Sequence, residues 1–140
     1  MRPKGHATGR TRLGHESSGK RPNLIHWSPT MAHQQYESCI DACNACADAC
    51  DHCAAACLQE DDVKMMARCI ALDMDCAAIC RLAASYMARG SQFAKQVCLM
   101  CADICEACGN ECANHQHDHC QACAQACRRC AQECRAMAAA

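Results

Sequence analysis

Nineteen cysteines lie between Cys39 and Cys134, and nearly all fall in runs whose spacing alternates threes and fours. The first run is Cys39, Cys43, Cys46, Cys50, Cys53 and Cys57. Two later runs are Cys98, Cys101, Cys105, Cys108, Cys112 and Cys120, Cys123, Cys127, Cys130, Cys134. An α-helix turns once every ~3.6 residues, so each run forms one stripe along a helix. Zinc fingers, ferredoxin loops and disulfide scaffolds do not have this rhythm. The chain places thiols where a bundle helix ordinarily carries larger apolar side chains, and a seam of thiols points to soft metal.

From residue 33 onward the pattern is helical and free of proline. Helices are expected over about 33–58, 62–89, 92–113 and 118–137. The first turn is Leu58–Asp62, with Asp61 or Asp62 as N-cap. Gly90 and Ser91 supply a C-cap glycine and an N-cap serine. The turn Asn114–Asp118 separates the last two helices. Four helices joined by short turns predict an all-α, antiparallel up-down-up-down four-helix bundle with a cysteine-lined core. The second helix is the thin one, carrying only Cys69, Cys76 and Cys80. Its stripe is completed by Met65 or Met66, by Leu72 or Asp73, and by Ala83 and Met87. Leu72 is expected inward and Asp73 at the flank. Gly109 inside the third helix costs ~1 kcal/mol relative to Ala, and its use is to make room for a neighbour.

Residues 1–30 hold all three prolines and four of the six glycines, with no cysteine. They read as a disordered basic tail ahead of a bundle domain at 31–140. Met31 stands where an alternative start residue would. Residues 1–32 carry six Lys/Arg and one Glu, net +5, and the remainder eight Lys/Arg and fourteen Asp/Glu, net −6. An acidic main body argues against a nucleic-acid-binding core. No apolar run reaches the ~18 residues of a membrane span, and no secretory h-region is present, so the chain is expected in the cytoplasm. In a reducing compartment, cysteines in this number argue for metal or redox chemistry rather than disulfides.

Within a helix, Cβ atoms four residues apart are ~5–6 Å apart, whereas a disulfide requires ~3.5–4.5 Å. Pairs such as Cys39–Cys43 therefore do not close while the helix persists. A metal at about 2.3 Å from each sulfur spans two thiolates roughly 4.5 Å apart in a linear unit, which neighbouring turns can supply. Cu(I) is the soft ion that suits such pairs. Charge balance agrees. Bridging thiolates shared between monovalent ions approach neutrality, while isolated four-thiolate Zn2+ sites each leave two negative charges in the core. The expected ligands are all nineteen cysteines, with a capacity near one Cu(I) per core cysteine. Iron–sulfur runs end in Cys-Pro and lie in loops, and no cysteine here precedes proline. One reactive thiol does not require eighteen companions, so no enzyme is expected.

In such a bundle the 1–2 and 3–4 turns share one end. His115, His117 and His119, with Met65 and Met66, would form a metal entry there. His52 falls off the stripe, and His6, His15 and His26 lie in the tail. The opposite end gathers Tyr36, Leu82, Tyr86 and Phe93, an expected apolar plug.

These stripes, the short turns and the histidine-bearing 3–4 turn, over about residues 33–137, resemble the bacterial copper storage proteins, a cysteine-rich four-helix-bundle family often mislabelled ferredoxin-like. The resemblance implies storage of multiple Cu(I) ions, entry from the histidine end and assembly as a homo-tetramer; a copper chaperone or chelator is a further expected partner. Without an export signal, the chain resembles the cytosolic branch. The competing readings are a general Zn or Cd thiolate sponge for detoxification and a redox or electron-transfer protein.

Overall fold

The computed structural model describes residues 29–140. Helix α1 runs Pro29–Cys57, α2 Ala67–Ala88, α3 Ala94–Ala113 and α4 Asp118–Ala139, with a short 3₁₀ turn at Val63–Met66 ahead of α2. Each helix packs on its chain neighbours, and α1 also packs on α4. The direction of packing is read from the sulfurs. Cys39 in the N-terminal half of α1 meets Cys134 near the end of α4, and Cys57 at the end of α1 meets Cys120 near the start of α4. This is the antiparallel bundle that the spacing predicts. The expected tail and its histidines lie outside the described residues, apart from Pro29 and Thr30.

The helix boundaries differ from expectation for local reasons. Helix α1 begins at Pro29 rather than near residue 33. Proline is tolerated in a first turn because its missing N–H would have had no helical partner there. Helix α2 starts five residues late, at Ala67. Asp62 precedes the 3₁₀ turn, but its side chain caps nothing; its carbonyl accepts from the Met65 N–H at 2.8 Å. The α2–α3 corner follows the expected chemistry. Gly90 has φ 65°, and the Ser91 N–H donates to the Tyr86 carbonyl while the Gly90 N–H donates to that of Met87. These are the two bonds of a glycine-terminated helix end. The Ser91 hydroxyl then accepts from the Phe93 N–H at 3.1 Å.

All nineteen cysteines are buried, packed with small alanines such as Ala42, Ala47, Ala77, Ala102 and Ala124. Gly109 shows how close the helices come. A Cβ added there would lie 3.2 Å from the Cys127 Cβ and 3.5 Å from the Ala124 carbonyl oxygen. The room expected at this position is thus the approach of α4 to α3. Across the outside, Arg81 reaches Asp48 and Asp51, Arg68 reaches Glu111, and Arg135 reaches Glu106 and Asp103. Exposed pairs of this kind add little each.

Two side-chain expectations are corrected. Asp73 does not sit at the flank; it is fully buried, and Leu72 is only half-buried. The stripe of this segment is Met66, Cys69, Asp73, Cys76, Cys80, Ala83 and Met87, an unbroken alternation of threes and fours. Helical geometry overrides the preference of a carboxyl group for water because thiol donors satisfy it. The expected apolar plug also fails in part. Leu82 and Phe93 are 45% and 52% exposed, while Tyr36 and Tyr86 are half-buried. Leu82 lies one residue off the stripe, and Phe93 precedes α3. Met87 and Met137 fill that end instead.

Candidate metal centre

The four stripes converge on one axis and bring their sulfurs within a few ångströms. Within helices, the i and i+4 pairs Cys46–Cys50, Cys53–Cys57, Cys76–Cys80, Cys101–Cys105, Cys108–Cys112, Cys123–Cys127 and Cys130–Cys134 are 3.8–4.0 Å apart. Between helices, Cys69–Cys112 is 3.3 Å, Cys50–Cys123 3.5 Å, Cys76–Cys105 3.5 Å and Cys43–Cys130 3.5 Å. Every cysteine is a free thiol, and these separations far exceed a disulfide bond of ~2.05 Å. At a metal–sulfur distance of about 2.3 Å, the intrahelical pairs subtend about 115° at a shared ion. That is a trigonal angle. The linear unit expected from sequence requires each pair to open by about half an ångström.

The sulfurs are grouped in fours that share members. Cys43/Cys101/Cys130/Cys134, Cys46/Cys80/Cys105/Cys130, Cys46/Cys50/Cys76/Cys127 and Cys50/Cys108/Cys123/Cys127 each lie within 4.8 Å. Cys46, Cys50, Cys127 and Cys130 each belong to two of them. A thiolate has several lone pairs and can bridge two ions, so shared members make a continuous ladder rather than separate cages. A further group, Cys53/Cys57/Cys69/Cys120, lies at the end where the 1–2 and 3–4 turns meet.

Asp73 stands inside the ladder. Its Oδ1 accepts from the thiols of Cys108 at 3.2 Å, Cys112 at 3.4 Å and Cys123 at 3.2 Å, and Cys69 reaches Oδ2 at 3.8 Å. Burial, followed by the neighbouring thiols, pushes this carboxyl up to about 10, so it holds its proton at neutral pH. Burial likewise raises the Cys57 thiol to about 11 and pushes Cys120 up. A thiol that holds its proton must release it when it binds metal.

The five residues expected at the entry separate into different roles. His119 is the one that meets the thiols: its Nδ1 is 3.5 Å from Cys53, 3.7 Å from Cys57 and 3.5 Å from Cys120. Its Nε2 lies 3.0 Å from the Glu60 carboxylate. A proton on Nε2 donated to Glu60 leaves Nδ1 as a lone-pair donor facing the sulfurs. The His117 ring stacks on that of His119 at 5.3 Å and touches Glu60 and Asp62 at 3.5 and 3.4 Å. His115 is turned to Glu111 at 3.2 Å. Met66 is fully buried, whereas Met65 is 72% exposed and lies on the surface. His52 is exposed. Sequence reasoning missed Asp73 and Glu60. A strict 3-4 count signals Asp73; nothing in the turn singles out Glu60.

A thiolate ladder with an oxygen inside it and an imidazole at one end is matched by known proteins. The family model described as copper storage protein matches residues 32–139. The chain belongs to the copper storage protein family. It is 55% identical over 107 residues to the uncharacterized cysteine-rich protein YhjQ of Bacillus subtilis, a match covering 76% of this chain and 99% of the relative. The Cu(I)-bound copper storage protein BsCsp3 superposes with a TM-score of 0.72 at 55% identity, over 74% of this chain and 99% of that one. A cytosolic copper storage protein from Streptomyces lividans, loaded with five coppers, superposes with a TM-score of 0.75 at 40% identity, over 79% and 98% of the two chains. The expected family resemblance and fold are therefore borne out. Among the described residues, no helix is long and apolar enough to cross a membrane.

Proposed function

We propose that this protein stores multiple Cu(I) ions on the thiolates of Cys39–Cys134, as a store or buffer rather than a catalyst. The observation that carries this reading is the sharing of Cys46, Cys50, Cys127 and Cys130 between neighbouring four-thiol groups. Shared thiolates suit a polynuclear array of monovalent soft ions and do not suit isolated tetrahedral Zn2+ sites. His119 offers a nitrogen donor at the end, and Asp73 an oxygen donor next to the end group, beside Cys69.

Cu(I) enters at the histidine end. His117 and His119 lie between solvent and the Cys53/Cys57/Cys69/Cys120 group, so an ion received on Nδ1 of His119 is within reach of three sulfurs. Met66 lies beneath this end. His115 is held on Glu111 and Met65 is directed outward, so both act before His117. The exposed Met74, Leu82, Leu99 and Met100 on the outer faces of α2 and α3 support assembly into a homo-oligomer, a tetramer by resemblance. The cytosolic relative from Streptomyces supports a cytoplasmic location. There the bound copper exchanges with a chaperone or a small chelator.

The test is an anaerobic Cu(I) titration of the reduced protein with a competing chelator, followed by native mass spectrometry and competition with Zn2+. The expected result is uptake approaching one Cu(I) per core cysteine, undisturbed by excess Zn2+. Saturation at one or two ions, or displacement by Zn2+, overturns the reading.

A further inference from the structure

Away from the histidines, the thiol ladder ends beside a surface cleft. Between the start of α1 and the end of α4 lies a cleft of about 220 Å³, lined among others by Tyr36, Ser38, Cys39, Glu133, Ala136 and Met137. Cys39 is 3% exposed, while the other eighteen cysteines are at 0%. Among the described residues, Cys39 on the wall of this cleft is thus the cysteine least shielded from solvent.

Cys39 is the end member of a group. Its sulfur is 3.6 Å from that of Cys134, which lies 3.6 Å from Cys43. The Cys98 thiol interacts with both Cys134 and Cys39. From Cys43 the ladder continues through Cys130 at 3.5 Å and on to Cys80 at 3.8 Å. Met137, 7% exposed, adds a thioether to the same wall. The two ends therefore differ in kind. One is covered by an imidazole and its carboxylate partner; the other brings Cys39 to the wall of a cleft beside the Glu133 carboxylate.

We propose that this distal cleft is a second exchange port, at which a small thiol withdraws Cu(I) from Cys39 and Cys134. This rests on the storage reading above. The chemistry is ligand exchange without redox change. The incoming thiolate forms a Cu–S bond, the Cu–S bond to Cys39 breaks, and the Cys39 thiolate takes up the proton that the incoming thiol released. A cleft below the ~300–1,000 Å³ of drug-sized sites admits a slender thiol arm and excludes an aromatic chelator. The Glu133 carboxylate on its wall favours a cationic thiol and disfavours an anionic one.

The experiment uses the full chain, loaded anaerobically with Cu(I), and compares its release to cysteamine and to bathocuproine disulfonate. Ala136→Trp fills the cleft without removing a donor. The expected result is release to cysteamine slowed by roughly tenfold or more, with unchanged Cu(I) capacity and an unchanged rate to the bulky chelator. Cys39→Ser should slow cysteamine release as well. Wild-type release rates in A136W overturn the port. Independently of any variant, brief alkylation of the native apo protein with iodoacetamide, mapped by peptide mass, should modify Cys39 first. Labelling that begins at Cys57 or Cys120 and spares Cys39 overturns it too. A wild type that takes up no more than one or two Cu(I) defeats the storage reading at the loading step, and the alkylation order still tests the access route.

Discussion

His119 directs one ring nitrogen at the Glu60 carboxylate, 3.0 Å away, and the other at three sulfurs. Glu60 lies in the turn after α1 and His119 in the first turn of α4, and the two are brought together where the 1–2 and 3–4 connections meet. Glu60 sets both the tautomer and the orientation of the ring, so the lone pair of Nδ1 faces the thiols. Removing the carboxylate should leave the sulfurs untouched and disturb the donor. Glu60→Ala is expected to slow Cu(I) loading while final capacity stays at wild type. Losses of such supporting partners typically cost ~10–100-fold in metal affinity or activity. Stopped-flow transfer from a Cu(I) chelator reads the rate, and metal analysis reads the capacity.

Asp73 makes the stability of the empty protein depend on pH. Its carboxyl ordinarily titrates at 3.8 and is raised to about 10 by burial. Between those values the folded chain holds a proton that the unfolded chain has released. Stability then falls as pH rises through this window, by up to ~1.4 kcal/mol per pH unit for one proton. The melting temperature of the reduced apo protein is expected to decline from pH 5 to pH 8. Asp73→Asn keeps the shape without the titration, and should flatten that slope. An equal slope in both proteins would contradict the assignment.

Gly109 is a packing requirement of α3 against α4. Alanine there would gain ~1 kcal/mol of helix propensity, but its Cβ would meet the Cys127 Cβ at 3.2 Å. Both contacts are anchored to helix backbone and have little freedom to yield. Overpacking of this sort costs ~1–3 kcal/mol, so the net effect of Gly109→Ala is a loss. A melting temperature lowered by a few degrees in apo protein, measured by circular dichroism, is the expected outcome. A rise would mean that α4 shifts at no cost.

Sharing of thiols between groups makes a positional prediction about capacity. Cys127 joins two four-thiol groups through Cys46, Cys50, Cys76, Cys108 and Cys123, whereas Cys57 stands at the end of the ladder. Cys127→Ala should therefore lower the number of bound Cu(I) ions by more than Cys57→Ala does. Native mass spectrometry of the two loaded variants checks this. Equal losses would argue for independent sites.

The folded bundle assembles the thiols that the unfolded chain disperses, so Cu(I) binds it more tightly, and loading adds that difference in binding free energy to stability. The core gains little from large apolar side chains, since small alanines surround the thiols. The loaded protein should melt well above the apo form, and addition of excess chelator should return it to the apo value.

The helix count, the antiparallel order and the inward placement of every cysteine were legible in the spacing of the runs. The errors fall where a residue type argued against its position. Asp73 was placed at the flank because carboxylates prefer water, although the 3-4 count put it inward. Leu82 and Phe93 were placed in the plug because they are apolar, although neither lies on a stripe. The three turn histidines were treated as one cluster, whereas one meets sulfur, one stacks on it and one turns to Glu111.

By itself the sequence determined which face of each helix is buried, and that this face is thiol. The reason is local: 3.6 residues per turn sends every third and fourth residue the same way, whatever its neighbours. Only the tertiary structure decided which sulfurs share a group, that Glu60 and Asp73 enter the site, and that Cys39 lies on the wall of a cleft. Those relationships depend on the axial offset and rotation of one helix against another. That offset is set by contacts such as Gly109 on Cys127, which join residues distant in the chain and leave no mark in the periodicity of either helix.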